Sequence, residues 1–334
     1  MKRSKKKPRP HSSKPRGRRS RLRRVLPGTT YLITKKINDD FFFLRPSDEV
    51  NELILYLLLM KLEKYGLLIH GFCFMSNHFH LLVTDLRGEL PALMREFLSE
   101  SSKALKVELG TTRQIWSTRR YSSVEMLDLD AAEREAAYIA VNPTEAGFTE
   151  PADWPGLTSA NLKFGDRLTA KRPDEYFSPR YRPDYVSVTL APLPQASFGK
   201  ETENREDTNE EARDEQALNE ESARRIQNHI DAALKNIHAS LKKRKAKLAG
   251  RERVLKTSRY KRGSHPIRGL NPRFATKNGE LLSSAIESFR KFEREHGSAV
   301  DRYAAGHSQA VFPRGTYGYR KLLGVRVGQG GVAA

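Results

Sequence analysis

The chain is poor in cysteine and has no long apolar run, and each absence excludes a class of protein. Cys73 is the only cysteine among 334 residues, which excludes an intrachain disulfide and a cluster of thiolate metal ligands. The longest apolar run, LILYLLLM at residues 53–60, is too short to span a bilayer, so we expect a buried helix segment and no membrane partner. A reducing cytosol suits this cysteine content, and we expect a cytoplasmic location.

The chain has fewer acidic than basic residues. It has 60 Lys and Arg residues against 40 Asp and Glu residues, which gives a formal net charge of +20 at pH 7. Such an excess favours a polyanionic partner, and nucleic acid is the first expectation. We therefore expect the protein to associate with the nucleoid. A ribosome-associated protein and basicity without a specific partner are the alternatives that the charge leaves open.

Residues 1–24 contain thirteen Lys or Arg residues and no acid. A segment of this composition cannot form a core, so we expect a disordered basic arm that contacts phosphates. The alternative is a tail that only increases solubility. The candidate DNA contacts in the arm are Lys5, Lys6, Lys7, Arg18 and Arg19.

Residues 25–165 are predicted to form one catalytic domain. The pattern gives the order β-α-β-β-α-β, which is that of a ferredoxin-like α+β fold with an antiparallel sheet backed by helices. A further helix, appended after the fourth strand, carries Tyr138, and Pro143 is expected to end it. The predicted strands cover residues 30–34, 67–74, 78–84 and 119–126, and the predicted helices cover 47–65, 90–109 and 130–141.

Four polar side chains of this domain form a candidate active site. Residues i and i+2 of a strand point to one face, so His78 and His80 can bind one ion. Residues i and i+4 of a helix also share a face, so Tyr138 and Asn142 can point at that ion. Two imidazoles, an amide oxygen and a phenol suit attack on a phosphodiester.

Each member of this set also has an ordinary structural interpretation. Paired histidines on a strand can be polar residues of an exposed face. Asn142, one residue before a proline, can be a helix C-terminal residue. Tyr138 can be a half-buried helical tyrosine like many others. Their conjunction is what favours a functional site.

The donor set and the phenol together predict the chemistry. Two histidines and an amide suit Mg²⁺ or Mn²⁺ in a phosphoryl-transfer site, with Zn²⁺ left open. Tyr138, with an ordinary phenol pKa of about 10, needs a nearby cation or base to become a nucleophile. Its attack would leave a covalent phosphotyrosine that a free hydroxyl can reverse.

The second half of the chain has a different composition. Residues 166–205 are rich in proline and are expected to be an extended connector. Residues 206–334 are expected to be a charged, mainly helical and basic C-terminal extension. An apolar stripe runs through it at Ile226, Ile230, Leu234, Ile237 and Leu241. The basic stretch is interpreted as added DNA-binding surface; the alternative is a helical hairpin that packs on the catalytic domain or on a second copy.

Several motifs resemble those of one known family. Residues 71–83, GFCFMSNHFHLLV, resemble the HUH motif of single-tyrosine transposases, and residues 138–147, YIAVNPTEAG, resemble the tyrosine helix of that family. WSTRRY at residues 116–121 and DWP at 153–155 match two further landmarks. The branch that these motifs resemble is the REP-associated tyrosine transposases of bacteria.

This resemblance covers residues 28–160 and implies a specific activity. The family cleaves single-stranded DNA near hairpins and transfers the strand through a 5′-phosphotyrosine, with a divalent metal and a free 3′-OH. On this resemblance Tyr138 is the nucleophile, and His78, His80 and Asn142 are the metal ligands. Relatives from insertion sequences act as homodimers, whereas REP-associated relatives can be monomers. We also expect Arg119 and Arg120 to contact DNA.

The chain departs from the family in two places, and its candidate site also allows two other functions. Residues 75–77 read Met-Ser-Asn where Met-Pro-Asn is commoner, and residues 166–334 lie outside the resemblance. One rival is a domesticated protein that binds hairpin DNA or RNA without cleaving it. The other is a metallohydrolase that uses water, in which Tyr138 only positions the substrate. Tyr121 lacks a ligand partner at i+4 and is interpreted as structural.

Overall fold

A computed structural model describes residues 22–195, 209–263 and 272–328, with side chains in the second range from residue 216 onward. The arm residues Lys5, Lys6, Lys7, Arg18 and Arg19 lie outside the described residues, as does the connector from residue 196 to 205. The chain divides into two compact units, Val25–Ser288 and Met1–Arg24 with Phe289–Ala334. The domain boundaries expected at residues 24, 165 and 205 stay predictions.

The larger unit is built on a five-stranded sheet with the order β2-β3-β1-β4-β7. The seven strands of the described chain are β1 (Thr29–Lys36), β2 (Leu67–Phe74), β3 (His78–Asp85), β4 (Ser122–Met126), β5 (Arg167–Lys171), β6 (Tyr185–Thr189) and β7 (Phe274–Ala275). The first four strands of the chain pair antiparallel. The α+β class is confirmed, but the expected purely antiparallel sheet is not found, because the edge strand β7 pairs parallel with β4.

The first helix, α1 (Asp48–Tyr65), begins and ends where the sequence predicts. The Ser47 side chain accepts a hydrogen bond from the Val50 backbone N–H, and Gly66 closes the helix in the left-handed region at φ 66°. Both features are typical end signals, an N-terminal hydroxyl and a C-terminal glycine. The apolar run at residues 53–60 lies inside this helix and is largely buried, as expected.

Two helices cover one face of the sheet. Helix α2 (Leu90–Glu108) packs against α1, and its start is held by the Asp85 carboxylate, which accepts from the Glu89 and Leu90 N–H groups at 2.9 and 2.8 Å. The core between these helices and the sheet includes four side chains without exposed surface, Ile33, Leu57, Phe79 and Phe97. Full burial of each such side chain contributes about 1.5–3 kcal/mol.

The opposite face of the sheet is covered by α3 (Leu129–Glu145). The Asp128 carboxylate caps this helix by accepting from the Ala131 N–H at 2.7 Å. The expectation that Pro143 ends the helix is wrong, because Pro143 lies in its last turn. Proline removes only its own N–H donor there, and the carbonyls of Asn142 and Pro143 still accept hydrogen bonds from Ala146 and Phe148.

Residues expected to form an extended connector contain a hairpin instead. Strands β5 and β6 pair antiparallel from Arg167↔Thr189 to Lys171↔Tyr185. They pack against α1, and Leu168, Ala170 and Val186 join its core. The alternation of apolar and polar residues over 167–171, with its apolar face buried, explains the strand, whereas the nearby prolines suggested none.

The long helix α4 (Asn209–Lys243) packs on α3. The buried Glu133 carboxylate on α3 accepts from Ser222 Oγ at 2.7 Å and lies 2.8 Å from Arg225 Nη2. Ile226 of the predicted apolar stripe packs against the core under α3. This part of the extension therefore packs on the catalytic domain, as one of the two interpretations expected. Its role in DNA binding stays a prediction.

The rest of the extension is also mainly helical in the described residues. Helices α5 (Arg251–Lys256), α6 (Gly279–Ala304) and α7 (Gly318–Leu323) follow α4. In the smaller unit Phe312 is fully buried and stacks on Tyr319, with 4.9 Å between the ring centroids. Among the described residues, none of the helices combines the length and the apolar character needed to cross a bilayer.

Candidate active site

Strand β3 presents His78 and His80 on one face and Phe79 on the other, as its alternation predicts. Phe79 has no exposed surface and lies edge-on to Trp116, with 5.5 Å between the ring centroids. The two histidine rings lie 4.9 Å apart, centroid to centroid, at nearly right angles. Burial of Phe79 therefore fixes the strand, and the strand holds both imidazoles side by side.

Each histidine has one ring nitrogen engaged by a neighbour. His78 Nδ1–H donates to Asn77 Oδ1 at 2.8 Å, because an amide oxygen can only accept. His80 Nδ1 lies 3.0 Å from Thr34 Oγ1, and the β1–β3 register places Thr34 directly opposite His80. Nε2 of His78 therefore keeps a lone pair, and Nε2 of His80 keeps one when its Nδ1–H donates to Thr34; such lone pairs can bind a cation.

Both imidazoles are held neutral by their surroundings. Burial lowers the pKa of His78 to about 4, and the nearby Lys36 ammonium lowers it further against the opposing effect of Asp40. Burial also lowers the pKa of His80 well below its usual value, as does the adjacent His78. Neutral imidazole is the form that ligates metals, so both rings are ready ligands at pH 7.

Helix α3 brings Tyr138 and Asn142 to the same place. The Tyr138 ring lies edge-on to His80, with 5.3 Å between the ring centroids. Asn142 follows one turn later and is buried, and its side chain acts to lower the pKa of the phenol. The structure thus brings together His78, His80, Tyr138 and Asn142, the four residues that the sequence singles out, while their chemical roles stay predictions.

Two buried acceptor atoms at this site have no hydrogen-bond partner within the described ranges: His80 Nε2 and Asn142 Oδ1. Buried polar atoms are normally satisfied, so an unpaired lone pair at such a position needs an explanation. A divalent cation bound by these atoms would satisfy both, and the donor set therefore fits a metal ion. Residues 22–195, 209–263 and 272–328 contain no cluster of three or more His, Cys, Asp or Glu suited to a metal, so the amide of Asn142 is essential to this assignment.

The Tyr138 phenol is a poor nucleophile without added positive charge. Burial raises its pKa to about 12, the carboxylates of Glu145 and Glu135 raise it further, and the hydrogen bond with Asn142 opposes them. The phenol is therefore protonated at neutral pH. A cation beside it would reverse the electrostatic balance and favour the phenolate.

Arg119 and Arg120 are exposed in the turn that precedes β4. The fourth strand begins at Ser122 rather than at Arg119, because the Lys35 ammonium holds the turn by donating to the carbonyls of Ser117 and Arg119 at 2.8 and 2.5 Å. The contact of Arg119 and Arg120 with DNA stays a prediction. Tyr121 packs against the core, in line with its interpretation as structural.

Sequence reasoning missed the two residues that orient the histidines, Thr34 and Asn77. The signal for Asn77 was its position immediately before His78, where its side chain can reach the imidazole of the next residue. The signal for Thr34 was non-local, since it depends on the pairing of β1 with β3.

A cavity of about 780 Å³ lies away from these four residues, on the other side of α3. It is lined by Ala136 and Ala140 of α3 and by Ile226 of α4, among others. His70 also lines it, but both of its ring nitrogens are hydrogen-bonded within the protein. The cavity therefore lies beside α3 and α4 and does not include the four candidate site residues on β3 and α3.

Comparison with solved structures gives several likenesses, of which two are described here. No protein-family model matches the chain, and no curated protein matches it. A solved REP-associated tyrosine transposase bound to a REP hairpin is similar at a TM-score of 0.37 and 15% identity, over 55% of this chain and 99% of that chain. A protein from Deinococcus radiodurans R1, described as a proposed transposase, is similar at a TM-score of 0.25 and 17% identity, over 34% of this chain and 85% of that one. Likenesses of this size carry no functional conclusion, which must come from the chain's own geometry.

Proposed function

We propose that this protein cleaves single-stranded DNA beside a hairpin and rejoins it to another strand, as in transposition, through a 5′-phosphotyrosine on Tyr138. The first four strands with α1 and α2 form the ferredoxin-like part of the domain, and α3 carries the nucleophile. The net charge of +20 supports a nucleic acid as the substrate.

One observation carries this proposal. The ring of Tyr138 lies against His80, and next to it two buried acceptor atoms, His80 Nε2 and Asn142 Oδ1, have no partner within the described residues. A nucleophile and an unsatisfied set of ligand atoms on facing elements are the parts that metal-assisted attack on a phosphodiester requires.

The residues divide the chemistry between them. The Tyr138 oxygen would attack the phosphorus, and the bond from phosphorus to the 3′ oxygen would break, leaving a free 3′-OH. The phenol proton ends on that leaving oxygen, so atoms and charge balance. The reverse step, with a different 3′-OH, rejoins the DNA and releases the phenol.

The remaining residues position this reaction. Thr34 and Asn77 hold the two imidazoles so that their Nε2 atoms face the site. His78, His80 and Asn142 would hold Mg²⁺ or Mn²⁺, which when bound supplies positive charge to polarise the phosphate and to favour the phenolate. Asn142 also acts to lower the pKa of the phenol.

A covalent-adduct assay tests the proposal. The protein is incubated with end-labelled hairpin DNA that carries a single-stranded flank, together with Mn²⁺, and separated on a denaturing gel. We expect a labelled protein band with the wild type and none with Tyr138→Phe. Tyr121→Phe is the matched control, because it removes a hydroxyl from a tyrosine of the same domain that packs on the core.

The same gel separates the rival functions. Cleavage products that persist in Tyr138→Phe, without an adduct, would point to a hydrolase that uses water. DNA binding without cleavage or adduct, by a wild-type protein that also binds Mn²⁺, would point to a binding protein and contradict the proposal.

A further inference from the structure

The C-terminal extension contributes a cationic and aromatic surface beside the candidate active site. Residues 257–263, which follow α5, lie along the turn that follows β1. We call the side chains that meet there the cationic–aromatic patch, and its members are Phe41, Phe43, Arg113, Tyr260, Lys261 and Arg262.

Backbone hydrogen bonds attach this part of the extension to the catalytic domain. The Phe42 N–H donates to the carbonyls of Arg259 and Lys261 at 3.0 and 3.1 Å, and the Gly263 N–H donates to the Asp40 carbonyl at 2.9 Å. These contacts hold the patch in a defined position on the larger unit, although more than 200 residues separate its two parts in the chain.

The patch begins next to one of the two site histidines. A β-carbon added to Gly263 would lie 2.5 Å from Asn77 Nδ2, so glycine is what allows the extension to pass this closely. Asn77 is the residue whose side-chain oxygen accepts from His78 Nδ1. Asn77 thus connects the segment that carries the patch with His78.

The side chains of the patch combine charge with ring surface. The Arg262 and Arg113 guanidinium carbons lie 4.7 and 5.4 Å from the centroid of the Phe41 ring, and both side chains are exposed. The Tyr260 ring packs edge-on to Phe41 and Phe43, yet 53% of the residue is exposed. Arginines and an exposed ring on a firm base are the groups that bind phosphates and stack on bases.

Within the part of the chain that the structure describes, the positive charge of the patch is not neutralised by ion pairs. Among the described residues, no carboxylate forms an ion pair with Arg113, Lys261 or Arg262. Asp40, an acid of this turn, is paired with Lys36 at 3.1 Å. An anionic partner would therefore meet no competing carboxylate at these three side chains.

Two further guanidinium groups lie behind the patch. Arg45 donates to the Thr257 carbonyl at 3.3 Å, and Arg259 donates to Ser47 Oγ at 3.1 Å, so neither is bound by a carboxylate in these contacts. Burial lowers the pKa of Arg259, and the adjacent Arg45 lowers it further, whereas the carboxylates of Glu108 and Glu49 oppose this shift. This pair adds to an electrostatic potential that favours a polyanion.

We propose that the cationic–aromatic patch binds the single-stranded nucleic acid that leads to the active site, with Arg113, Lys261 and Arg262 on its phosphates and Tyr260 stacked on a base. The substrate class rests on the proposed function. The extension is then part of the substrate-binding surface and not only a packing element on α3.

A binding assay tests the base contact separately from the chemistry. The background is Tyr138→Phe, which cannot form an adduct, and the probe is fluorescein-labelled single-stranded DNA followed by anisotropy. Tyr260→Ala is expected to weaken binding by about tenfold, within the range for loss of one stacked base. Tyr181→Ala is the matched control, because Tyr181 is also exposed and has the Arg180 guanidinium 5.4 Å from its ring, but lies outside the patch. The Tyr181→Ala variant should have the same DNA affinity as the Tyr138→Phe background.

A charge variant tests the phosphate contacts. In the same background, Arg113→Gln with Arg262→Gln should flatten the slope of log K against log salt by about 1.4, since each phosphate contact on a single strand contributes about 0.7. The control pair, Arg167→Gln with Arg180→Gln, removes the same charge from exposed positions in and after β5. Its salt slope should be steeper than that of the patch variant.

The outcomes separate this inference from the proposed function. Equal affinities and equal slopes for patch and control variants would overturn the patch proposal, even if the wild type forms the adduct. A lower melting temperature with unchanged DNA affinity would assign the patch to holding the extension in place, and would also overturn it. A loss of binding specific to the patch variants supports it, whether or not the adduct assay succeeds.

Discussion

Two buried histidines of the central sheet, His70 and His80, have opposite surroundings. His70 is satisfied at both ring nitrogens, since Nδ1 lies 3.0 Å from the Ala191 carbonyl and Nε2 lies 2.8 Å from Thr84 Oγ1. His80 is satisfied only at Nδ1, by Thr34, and its Nε2 has no partner among the described residues. Burial lowers the pKa of both rings.

The comparison shows what separates a structural histidine from a candidate ligand. Burial and a lowered pKa are common to both, so neither identifies a site. The difference is an acceptor atom left without a donor and placed against a tyrosine. At the Thr84 end of β3, which we call the closed end, His70, Thr84 and Thr30 form a hydrogen-bond chain, with 2.7 Å between the two threonine hydroxyls. At the other end of β3, which we call the open end, His80 Nε2 has no hydrogen-bond partner among the described residues.

The largest contrast is expected when each histidine is removed. His80→Gln should weaken Mn²⁺ binding by more than about 100-fold, because it deletes a ligand and not merely its support. His70→Gln should leave Mn²⁺ affinity unchanged. Isothermal titration of Mn²⁺ into both variants measures the difference.

Two controls make that contrast decisive. Circular dichroism should show that each variant is folded before titration. Equal Mn²⁺ affinity for His80→Gln and His70→Gln would contradict the assignment of the open end as the metal site.

A smaller contrast is expected for the threonines that orient the two rings. Thr34→Val removes the partner of His80 Nδ1 and should weaken Mn²⁺ binding by about 10–100-fold, as loss of a ligand's hydrogen-bond partner does. Thr84→Val should keep Mn²⁺ affinity and lower the free energy of unfolding by about 1–3 kcal/mol, because it leaves buried partners unsatisfied. Titration and denaturant unfolding of both variants give the two quantities; a reversed pattern would show that Thr34 is structural.

A further contrast concerns acid stability at the closed end. Burial lowers the pKa of His70 to about 4 in the folded protein, against about 6.5 when unfolded. Between these values the unfolded state binds the proton first, so the wild type loses about 1.4 kcal/mol of stability per unit as the pH falls from 6.5 to 4. Above pH 6.5 this contribution is constant.

The variant His70→Gln lacks this titration. The stability difference between the wild type and His70→Gln should therefore shrink as the pH falls through that window, measured by denaturant unfolding at several pH values. Parallel curves would show that His70 titrates normally in the folded state.

The parts of the fold that depend on local signals were predictable from the sequence. Ser47 and Gly66 marked the ends of α1, and the alternation around Phe79 placed both histidines on one face. The spacing of Tyr138 and Asn142 placed both on one face of α3. Each of these features depends on neighbours within four residues in the chain.

What sequence reasoning missed depends on distant parts of the chain. The partner of His80 comes from β1, and the cationic–aromatic patch joins residues 41–43 to residues 260–262. The two-residue strand β7 carries no local signal, because its pairing with β4 is supplied by the fold. Pro143 misled the prediction of the helix end, since a proline in a last turn costs little hydrogen bonding.

The central claim is that Tyr138 is the residue that becomes joined to DNA. Peptide mapping by mass spectrometry, after reaction of the wild type with hairpin DNA and Mn²⁺ and digestion with nuclease, tests it most directly. We expect a 5′-phosphonucleotide on the peptide that contains Tyr138 and on no other tyrosine peptide. A nucleotide attached to another residue, or DNA cut with every peptide unmodified, would contradict it.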